Sequence, residues 1–291
     1  MPKRGFPVLV ATDGSAPAQA AVETAIVFPW PRGSTGHGIV ARGIPVLTDA
    51  TPALWEALLE AARVEARRAE RELRRRWSDA EVFVTDARPV PGIIARAKAL
   101  RARVVVVGSR GLGAVGRLLL GSVSRSIVHR ATTSVLVARG RVRAPRRFLI
   151  GVDGSRHSRE AVAFVAALAV PPGGQATLIR VVEPINVASM GLLPGRARAL
   201  VAGEAMSLHR QHLAAARRQL EAARARLVRA GWRVRVEVRT GRPLDEVLSR
   251  SSSADVLVVG AQGVGAIKHL LLGSVAGGAV ARAPVPVLVV R

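Results

Sequence analysis

Two segments of the sequence have the composition of loops that hold a phosphate group. Residues Gly108–Ser122 and Gly260–Ser274 both have the pattern Gly-x2-Gly-x9-Gly-Ser, and each follows a run of aliphatic residues. Glycine allows sharp turns and lets main-chain N–H groups approach an oxyanion closely. The Gly-Ser pair is placed to open a helix, where the first N–H groups lack partners and the dipole favours an anion. Both segments are therefore predicted to bind an anion.

A simpler interpretation of the same spacing is structural. Gly111 and Gly121 would then only shape turns, and Ser122 would cap the helix that follows. The same spacing recurs behind a second, similar strand, and this favours binding over the structural alternative. In the binding interpretation, the hydroxyl groups of Ser122 and Ser124 add donors to the main-chain cradle.

An aspartate follows the first apolar strand of each half, at Asp13-Gly-Ser and again at Asp153-Gly-Ser. A carboxylate there can accept hydrogen bonds from the amino group of a base or from a ribose hydroxyl, or help to hold a metal. The alternative is structural, because Asp or Ser before a helix is a common N-cap, here for helices beginning near Ala16 and His157. The two roles are compatible, and we expect both aspartates to belong to the site.

Two other nucleotide-binding motifs do not fit. Residues 111–116 match Gly-x-Gly-x-x-Gly, but this dinucleotide pattern belongs after the first strand of its unit and needs an acidic residue about 20 positions later. Here it follows the fourth predicted strand, and Lys268 replaces its last glycine in the second half. The pattern Gly-x4-Gly-Lys-Ser/Thr is absent from the sequence as well.

Alternating strands and helices must position these loops. In the first half, apolar β-branched runs predict strands at 6–11, 38–44, 81–86, 103–107 and 134–138. Helical spacing predicts helices at Ala18–Phe28, Pro52–Trp77, Pro91–Ala102 and Arg117–Arg130. This alternation is typical of a parallel sheet with helices on both faces. Such sheets bind ligands at the carboxyl ends of their strands, where the loops lie.

The landmarks recur in the same order, so the chain is predicted to contain two copies of one domain. Copy one spans 1–140 and copy two spans 146–291. Between them, residues 139–147 are rich in arginine and contain a proline, as expected for a linker.

Taken together, these landmarks resemble the universal stress protein family over essentially the whole chain. The resemblance implies two tandem five-stranded parallel-sheet domains of the adenine-nucleotide-binding α-hydrolase-like (Rossmann-like) type, paired like the homodimer of single-domain members. It also implies ATP binding, with adenine near the first aspartate and phosphates on the glycine loop. The implied residues are Asp13, Gly108, Arg110, Gly111, Gly121, Ser122, Val123 and Ser124 in copy one, and Asp153, Val181, Gly260, Gln262, Gly263, Gly273, Ser274 and Val275 in copy two.

One binding position is implied for copy two alone. The backbone of Val181, at the end of the second strand of copy two, is expected to contact adenine. The corresponding stretch of copy one, residues 40–43, aligns too loosely to name a residue.

Two of the differences between the glycine loops of the copies bear on phosphate binding. Ala276 replaces the hydroxyl of Ser124, which is expected to cost copy two about one hydrogen bond, or ~0.5–1.5 kcal/mol. Gln262 replaces Arg110, which removes a cation that could pair with phosphate. Copy one is therefore predicted to bind ATP more tightly than copy two.

The composition restricts the remaining chemistry. The chain has 291 residues, no cysteine, few aromatic residues (3%) and a net charge of +24, almost all of it from arginine. Disulfides and thiol catalysis are excluded, and the cores are expected to consist of Val, Leu, Ile and Ala. No signal peptide or apolar stretch long enough to span a bilayer is found, so a cytoplasmic protein is expected. The positive charge would attract polyanions non-specifically, or reflects coding composition alone.

Three functions remain open. The leading one is a nucleotide-dependent regulator of a stress response that is not an enzyme, because no catalytic constellation is found. The second is slow ATP hydrolysis or phosphoryl transfer at Asp13 with Mg²⁺. The third is a basic scaffold, with arginines at 63–76, 139–147 and 217–233 contacting nucleic acid or acidic partners. Further dimerisation of the tandem chain is also left open.

Overall fold

The computed structural model describes residues 5–41, 43, 51–109, 120–184, 195–264 and 272–291. The described part of copy one forms β1 (Phe6–Thr12), α1 (Ala16–Val27), β2 (Ser34–Ala41), α2 (Pro52–Leu73), β3 (Glu81–Thr85), α3 (Pro89–Ala99), β4 (Val104–Gly108), α4 (Ser122–Arg130) and β5 (Ser134–Ala138). Copy two forms β6 (Arg147–Gly151), α5 (Arg156–Ala167), β7 (Gln175–Val182), α6 (Gly195–Arg229), β8 (Arg233–Thr240), α7 (Pro243–Ser251), β9 (Val256–Gly260), α8 (Ser274–Arg282) and β10 (Val287–Val290). The predicted alternation of strands and helices is therefore confirmed.

The strands of both copies lie in one sheet, in the order β3-β2-β1-β4-β5-β10-β9-β6-β7-β8. Pairing within each copy is parallel, whereas β5 and β10 pair antiparallel, with Leu136 opposite Leu288. The tandem α/β class predicted from the sequence is confirmed. Each copy contributes five strands, and the last strand of each forms the junction.

Helices cover both faces of this sheet, which explains its aliphatic strands. α1, α2, α5 and α6 pack on one face, and α3, α4, α7 and α8 pack on the other. The valine run Val104–Val107 contributes alternate side chains to the two faces and is at most 3% exposed. Strands buried on both sides show no polar alternation, as seen here. Within the described residues, no helix is long and apolar enough to cross a membrane.

Aromatic side chains join the two copies on the face covered by α1 and α5, contrary to the expectation of purely aliphatic cores. Of the five Phe and four Trp residues in the chain, six form one continuous series of ring contacts, with centroids 4.4 to 6.1 Å apart. The series runs through Phe164, Phe6, Trp30, Phe28, Phe148 and Trp232. The few aromatic residues are therefore concentrated where the copies must adhere.

On the other face of the sheet, one arginine from each copy donates hydrogen bonds to the C-terminus of a helix in the other copy. Arg139, which follows β5, donates to the carbonyl oxygens of Val280 and Ala283 at the end of α8. Arg291, which follows β10, donates to the carbonyl oxygen of Val128 near the end of α4. Each copy thus supplies a cation to the helix C-terminus of the other, where unpaired carbonyls and the dipole favour positive charge.

The second strand begins earlier than predicted, at Ser34 rather than at residue 38. Residues 34–37 were not predicted as strand because Gly36 and Gly38 lower the strand propensity of this segment. A Cβ at Gly36 would stand 2.1 Å from the indole of Trp77, so this strand needs glycine to pass beneath a side chain from the end of α2. The predicted start of α4 at Arg117 lies outside the described residues, and the described helix begins at Ser122.

Candidate functional site

The order of the strands reverses once in each copy. In copy one, β2 and β3 lie on one side of β1, and β4 lies on its other side. In copy two, β7 and β8 likewise lie on one side of β6, and β9 lies on its other side. The loops that leave such neighbouring strands diverge to opposite faces, and ligands bind between them at the carboxyl ends of the strands. Asp13 and Gly108 flank this crevice in copy one, and Asp153 and Gly260 flank it in copy two.

The Asp-Gly-Ser turns use serine as the helix cap. The Ser15 hydroxyl accepts a hydrogen bond from the Ala18 N–H at 3.3 Å, and the Ser155 hydroxyl accepts one from the Ser158 N–H at 3.1 Å. Asp13 Oδ1 in turn accepts from the Ser15 N–H at 3.1 Å and from its hydroxyl at 2.6 Å. The aspartate therefore orients the serine that caps the helix, and its carboxylate stays at the end of β1.

Asp153 also holds the glycine loop of copy two. Its Oδ1 accepts from the Ser155 N–H at 2.9 Å, and its Oδ2 accepts from the Val264 N–H at 3.1 Å. Burial by itself raises the pKa of Asp153, but hydrogen bonding from the Ser155 side chain, the Ser155 N–H, Ser158 and the Val264 N–H outweighs it and leaves the pKa below its ordinary value. A Cβ at Gly263 would stand 2.7 Å from this carboxylate, so glycine permits the close approach.

Gly108 and Gly260 are required by packing, whether or not a ligand is bound. A Cβ at Gly108 would lie 2.4 Å from the carbonyl oxygen of Pro17, in the first turn of α1. A Cβ at Gly260 would lie 2.7 Å from the carbonyl carbon of His157, in the first turn of α5. Both obstacles are backbone atoms, which cannot swing aside as a side chain would.

The helices α4 and α8 open with N–H groups that no side chain caps. Gly121 and Gly273 are their N-caps, and neither makes a side-chain capping bond. The structural alternative in which Ser122 caps α4 is wrong, because Ser122 is already the first residue of the helix. The N–H groups of residues 122–124 and 274–276 have no acceptor within their own helices, which makes each N-terminus suited to an anion.

The predicted hydroxyl donors differ in their surroundings. Ser122 and Ser274 are exposed. Ser124 is buried, and its hydroxyl donates to the carbonyl oxygen of Gly108 at 2.6 Å. Its hydrogen is thus used inside the protein, where it ties α4 to the end of β4. In copy two, Ala276 takes this position and is 1% exposed.

In copy two, the structure brings all eight implied residues to one cavity of about 880 Å³. The implied residues in its lining are Asp153, Val181, Gly260, Gln262, Gly263, Gly273, Ser274 and Val275. The volume lies within the roughly 300–1,000 Å³ typical of small-molecule sites. The cavity reaches from the N-terminus of α8 across β6 to the end of β7, so it is long enough to combine the glycine loop with Val181.

In copy one, the structure places Asp13, Gly108, Gly121, Ser122, Val123 and Ser124 at the corresponding crevice. Arg110 and Gly111 lie outside the described residues. The strand register also supplies the residue that the sequence left unnamed. Val10 pairs with Gly38 as Ile150 pairs with Leu178, which makes Ala41 the counterpart of Val181.

A helix from outside the two motifs forms a further wall of each crevice, and no sequence pattern indicated this role. In copy one, Glu65 of α2 accepts a hydrogen bond from the Thr12 hydroxyl at 2.9 Å, and its Oε2 would be 3.1 Å from a Cβ at Gly14. In copy two, Nε2 of Gln219 on α6 would be 2.8 Å from a Cβ at Gly154, and Gln219 lines the cavity. The two walls therefore differ in charge.

No metal site accompanies these features in the described part of the chain, where no cluster of three or more His, Asp or Glu side chains occurs. His209 and His212 lie three residues apart on α6. His212 lines the cavity of copy two.

The fold and its two crevices define a tandem α/β protein built from Rossmann-like domains. A sequence model described as the universal stress protein family matches residues 6–139 and 145–291. The chain therefore belongs to the universal stress protein family, as the resemblance implied.

Mycobacterial proteins are among its relatives. Universal stress protein Rv2005c of Mycobacterium tuberculosis is 33% identical over 215 residues, which cover 70% of this chain and 66% of that protein. A universal stress protein of Mycolicibacterium smegmatis is 31% identical over 202 residues, 65% of this chain and 62% of that protein. The chain thus matches slightly less than two thirds of the length of these relatives.

Solved structures agree with the fold over the whole chain. A universal stress protein from Archaeoglobus fulgidus superposes with a TM-score of 0.68 at 20% identity and covers 99% of both chains. A functionally unknown protein, PA1789 from Pseudomonas aeruginosa, gives a TM-score of 0.58 at 15% identity and covers 99% of this chain. Both therefore share the tandem architecture.

Proposed function

We propose that this protein binds ATP at the crevices of both copies and acts as a nucleotide-dependent regulator in a stress response. The observation that carries the proposal is the cavity of copy two. It unites an aspartate, a glycine loop and the open N-terminus of α8 in about 880 Å³.

In the proposed complex, the phosphates occupy the N-termini of α4 and α8, and the base lies toward β2 and β7. The N–H groups of residues 274–276 and the Ser274 hydroxyl would donate to phosphate oxygens. Hydrogen bonds to charged groups contribute about 1.5–3 kcal/mol each. The Val181 backbone at the end of β7 would contact adenine, with Ala41 as its counterpart in copy one. Mg²⁺ would enter bound to the phosphates.

The proposed role is regulation by occupancy. A ligand that binds only the folded state stabilises it by about 2.7 kcal/mol when its concentration is 100 times Kd. Because β5 and β10 join the copies into one sheet, occupancy of either crevice would stabilise a shared structure. Protein stability and surface would then follow the cellular nucleotide level without a catalytic step.

The test uses charge at the two helix N-termini. Ser122→Glu and Ser274→Glu place a carboxylate where the dipole favours it, so folding is retained, but each carboxylate repels phosphate. The Ser→Gln pair is the matched control, because it removes both hydroxyls without adding charge. By calorimetry with Mg²⁺, we expect the Ser→Glu double variant to bind ATP at least tenfold more weakly than the Ser→Gln pair. Failure of the wild-type protein to bind ATP, with or without Mg²⁺, would overturn the proposal.

A second measurement distinguishes ATP binding from ATP hydrolysis. A fixed amount of ATP incubated with the protein should remain ATP on chromatography. Release of ADP that disappears in an Asp13→Ala variant would instead establish the hydrolytic function.

A further inference from the structure

Arg180 is a half-buried arginine in the cavity of copy two with few hydrogen-bond partners among the described residues. It lies on β7 beside Val181 and lines the cavity together with Asp153 and Gln219. Its one hydrogen bond among the described residues is long, 3.5 Å from Nη1 to the carbonyl oxygen of Val152. Its Nε is buried and has no hydrogen-bond partner in the described part of the chain. Burial lowers the pKa of Arg180, although the charge of Asp153 opposes this.

Asp153 does not satisfy this guanidinium by hydrogen bonding. Its Oδ1 accepts from the Ser155 N–H and its Oδ2 from the Val264 N–H, so the carboxylate serves the two loops. A buried donor left unsatisfied costs about 1–3 kcal/mol, and more when it is charged. A ligand that offers acceptors to Arg180 would recover this energy.

The strand order decides which part of a ligand Arg180 can meet. The glycine loop and α8 follow β9, β6 lies next to β9, and β7 lies beyond β6. Two strand spacings therefore separate Arg180 from the phosphate end, roughly 9–10 Å. Arg180 thus faces the opposite end of the cavity, beside the Val181 backbone that the proposed function assigns to the base.

Copy one has the opposite chemistry at this end. The strand register puts Val40 where copy two has Arg180, and Val40 is buried against Ala62 and Ala66 of α2. The Asp13 and Glu65 carboxylates lie near the end of β1, and a carboxylate only accepts hydrogen bonds. Acceptors suit the amino group of adenine, whereas a guanidinium suits the O6 and N7 acceptors of guanine.

We propose that copy two, although it also binds ATP, prefers a guanine nucleotide, with Arg180 donating to O6 and N7 of the base, while copy one prefers adenine. The inference rests on the proposed function, since it assumes that phosphates occupy the N-terminus of α8. Gln219, whose amide both donates and accepts, can serve either base. Arg180 is therefore the group that discriminates between them.

The experiment measures GTP and ATP binding to the full-length Ser122→Glu protein, in which copy one is disabled. Discrimination of about 1–3 kcal/mol for a good bidentate contact corresponds to roughly 5- to 150-fold in affinity. We expect GTP to bind at least fivefold more tightly than ATP. Arg180→Val, which introduces the residue of copy one, should abolish this preference chiefly by weakening GTP. Arg180→Lys keeps the charge without the planar fork and should lose most of the preference.

The outcomes are distinguishable. If copy two binds ATP as well as or better than GTP, and Arg180→Val leaves the ratio unchanged, the guanine assignment is wrong while nucleotide binding stands. If Arg180→Lys retains the full preference, charge alone is responsible and the bidentate contact is wrong. If the Ser122→Glu protein binds neither nucleotide, both the assignment and the proposed function of copy two are overturned.

Discussion

The two crevices have the same backbone geometry but are lined by different side chains. Both have a capped Asp-Gly-Ser turn, a glycine where a helix crosses the end of the strand, and an uncapped helix N-terminus. Beside the second strand of each copy, however, copy one has Glu65 and Val40, where copy two has Gln219 and Arg180. The two copies thus have the same backbone arrangement at the ends of their strands and differ in the side chains of the adjoining wall.

The copies also differ at the amino ends of their strands. Asp255, just before β9, accepts hydrogen bonds at 2.9 Å from the N–H groups of both Arg146 and Arg147, and its side chain is 6% exposed. Before β4, copy one instead has Arg103, an exposed residue. A carboxylate therefore anchors the linker to copy two, and copy one has no such anchor at this position.

The largest predicted effect follows from this difference. Asp255→Ala leaves two main-chain N–H groups and the Arg147 guanidinium without their acceptor, so it should lower the free energy of unfolding by about 3 kcal/mol. Arg103→Ala at the corresponding position should change it by less than about 0.5 kcal/mol. Urea unfolding of both variants checks this contrast, and equal effects would show that Asp255 is not an anchor.

The pH dependence provides an independent check on Asp255. Burial raises the pKa of Asp255, but hydrogen bonds from the Arg147 side chain and the two N–H groups bring it below its ordinary value. The folded pKa is thus below the unfolded value of about 3.9, so this stabilisation is complete above that pH and is lost as pH falls through the folded pKa. The stability difference between wild type and Asp255→Asn should shrink in that acidic range. A difference that stayed constant there would contradict the assignment.

The next effect tests the frame that the copies share. Gly108→Ala and Gly260→Ala each push a methyl group against backbone at 2.4 and 2.7 Å. Overpacking of this kind costs about 1–3 kcal/mol, and we expect both variants near 2 kcal/mol. Gly151→Ala is the control, because its nearest neighbour would be 3.6 Å away. Urea unfolding in which only one glycine variant is destabilised would show that the frames differ.

The features that the copies share are also those that could be predicted from the sequence. Glycine spacing, the Asp-Gly-Ser turns and the valine strand β4 are local patterns, and each one recurs, so they indicate their structure without knowledge of distant residues. Their placement on one edge of a parallel sheet then follows from topology.

The divergent features could not be predicted, because they depend on contacts between distant elements. Glu65 and Gln219 reach the crevices from the middle of long helices. Arg180 lies on a strand and carries no motif, so only the structure shows that it lines a cavity with residues of α6. The early start of β2 depends on Trp77, which lies far along the chain from Gly36. The counterpart of Val181 became clear only from the strand register, since residues 40–43 carry no distinctive pattern of their own.

A smaller effect concerns the helix N-termini one at a time. Ser122→Glu should remove the tighter ATP site and Ser274→Glu the weaker one, so the first variant should lose more ATP affinity, by about tenfold relative to the second. The repulsion between one added carboxylate and the phosphates is expected to weaken ATP binding by about 1–2 kcal/mol when the site is partly shielded from solvent. Calorimetric titration with ATP compares the two variants directly. Equal losses would mean that the two copies bind ATP alike.

The smallest predicted effect separates two roles for one hydroxyl group. If Ser124 donates to phosphate, as its place in the loop predicts, Ser124→Ala should weaken ATP binding by about 0.5–1.5 kcal/mol, or roughly two- to twelvefold, with stability unchanged. The described bond to the Gly108 carbonyl oxygen at 2.6 Å predicts the reverse, a loss of about 1 kcal/mol in unfolding free energy with ATP affinity unchanged. Ala276→Ser is the reciprocal variant, since it offers the same hydroxyl to the end of β9. Thermal unfolding and calorimetry on both variants decide between the roles. If affinity changes while stability does not, the difference between the copies arises at the phosphates, and the packing role of Ser124 is wrong.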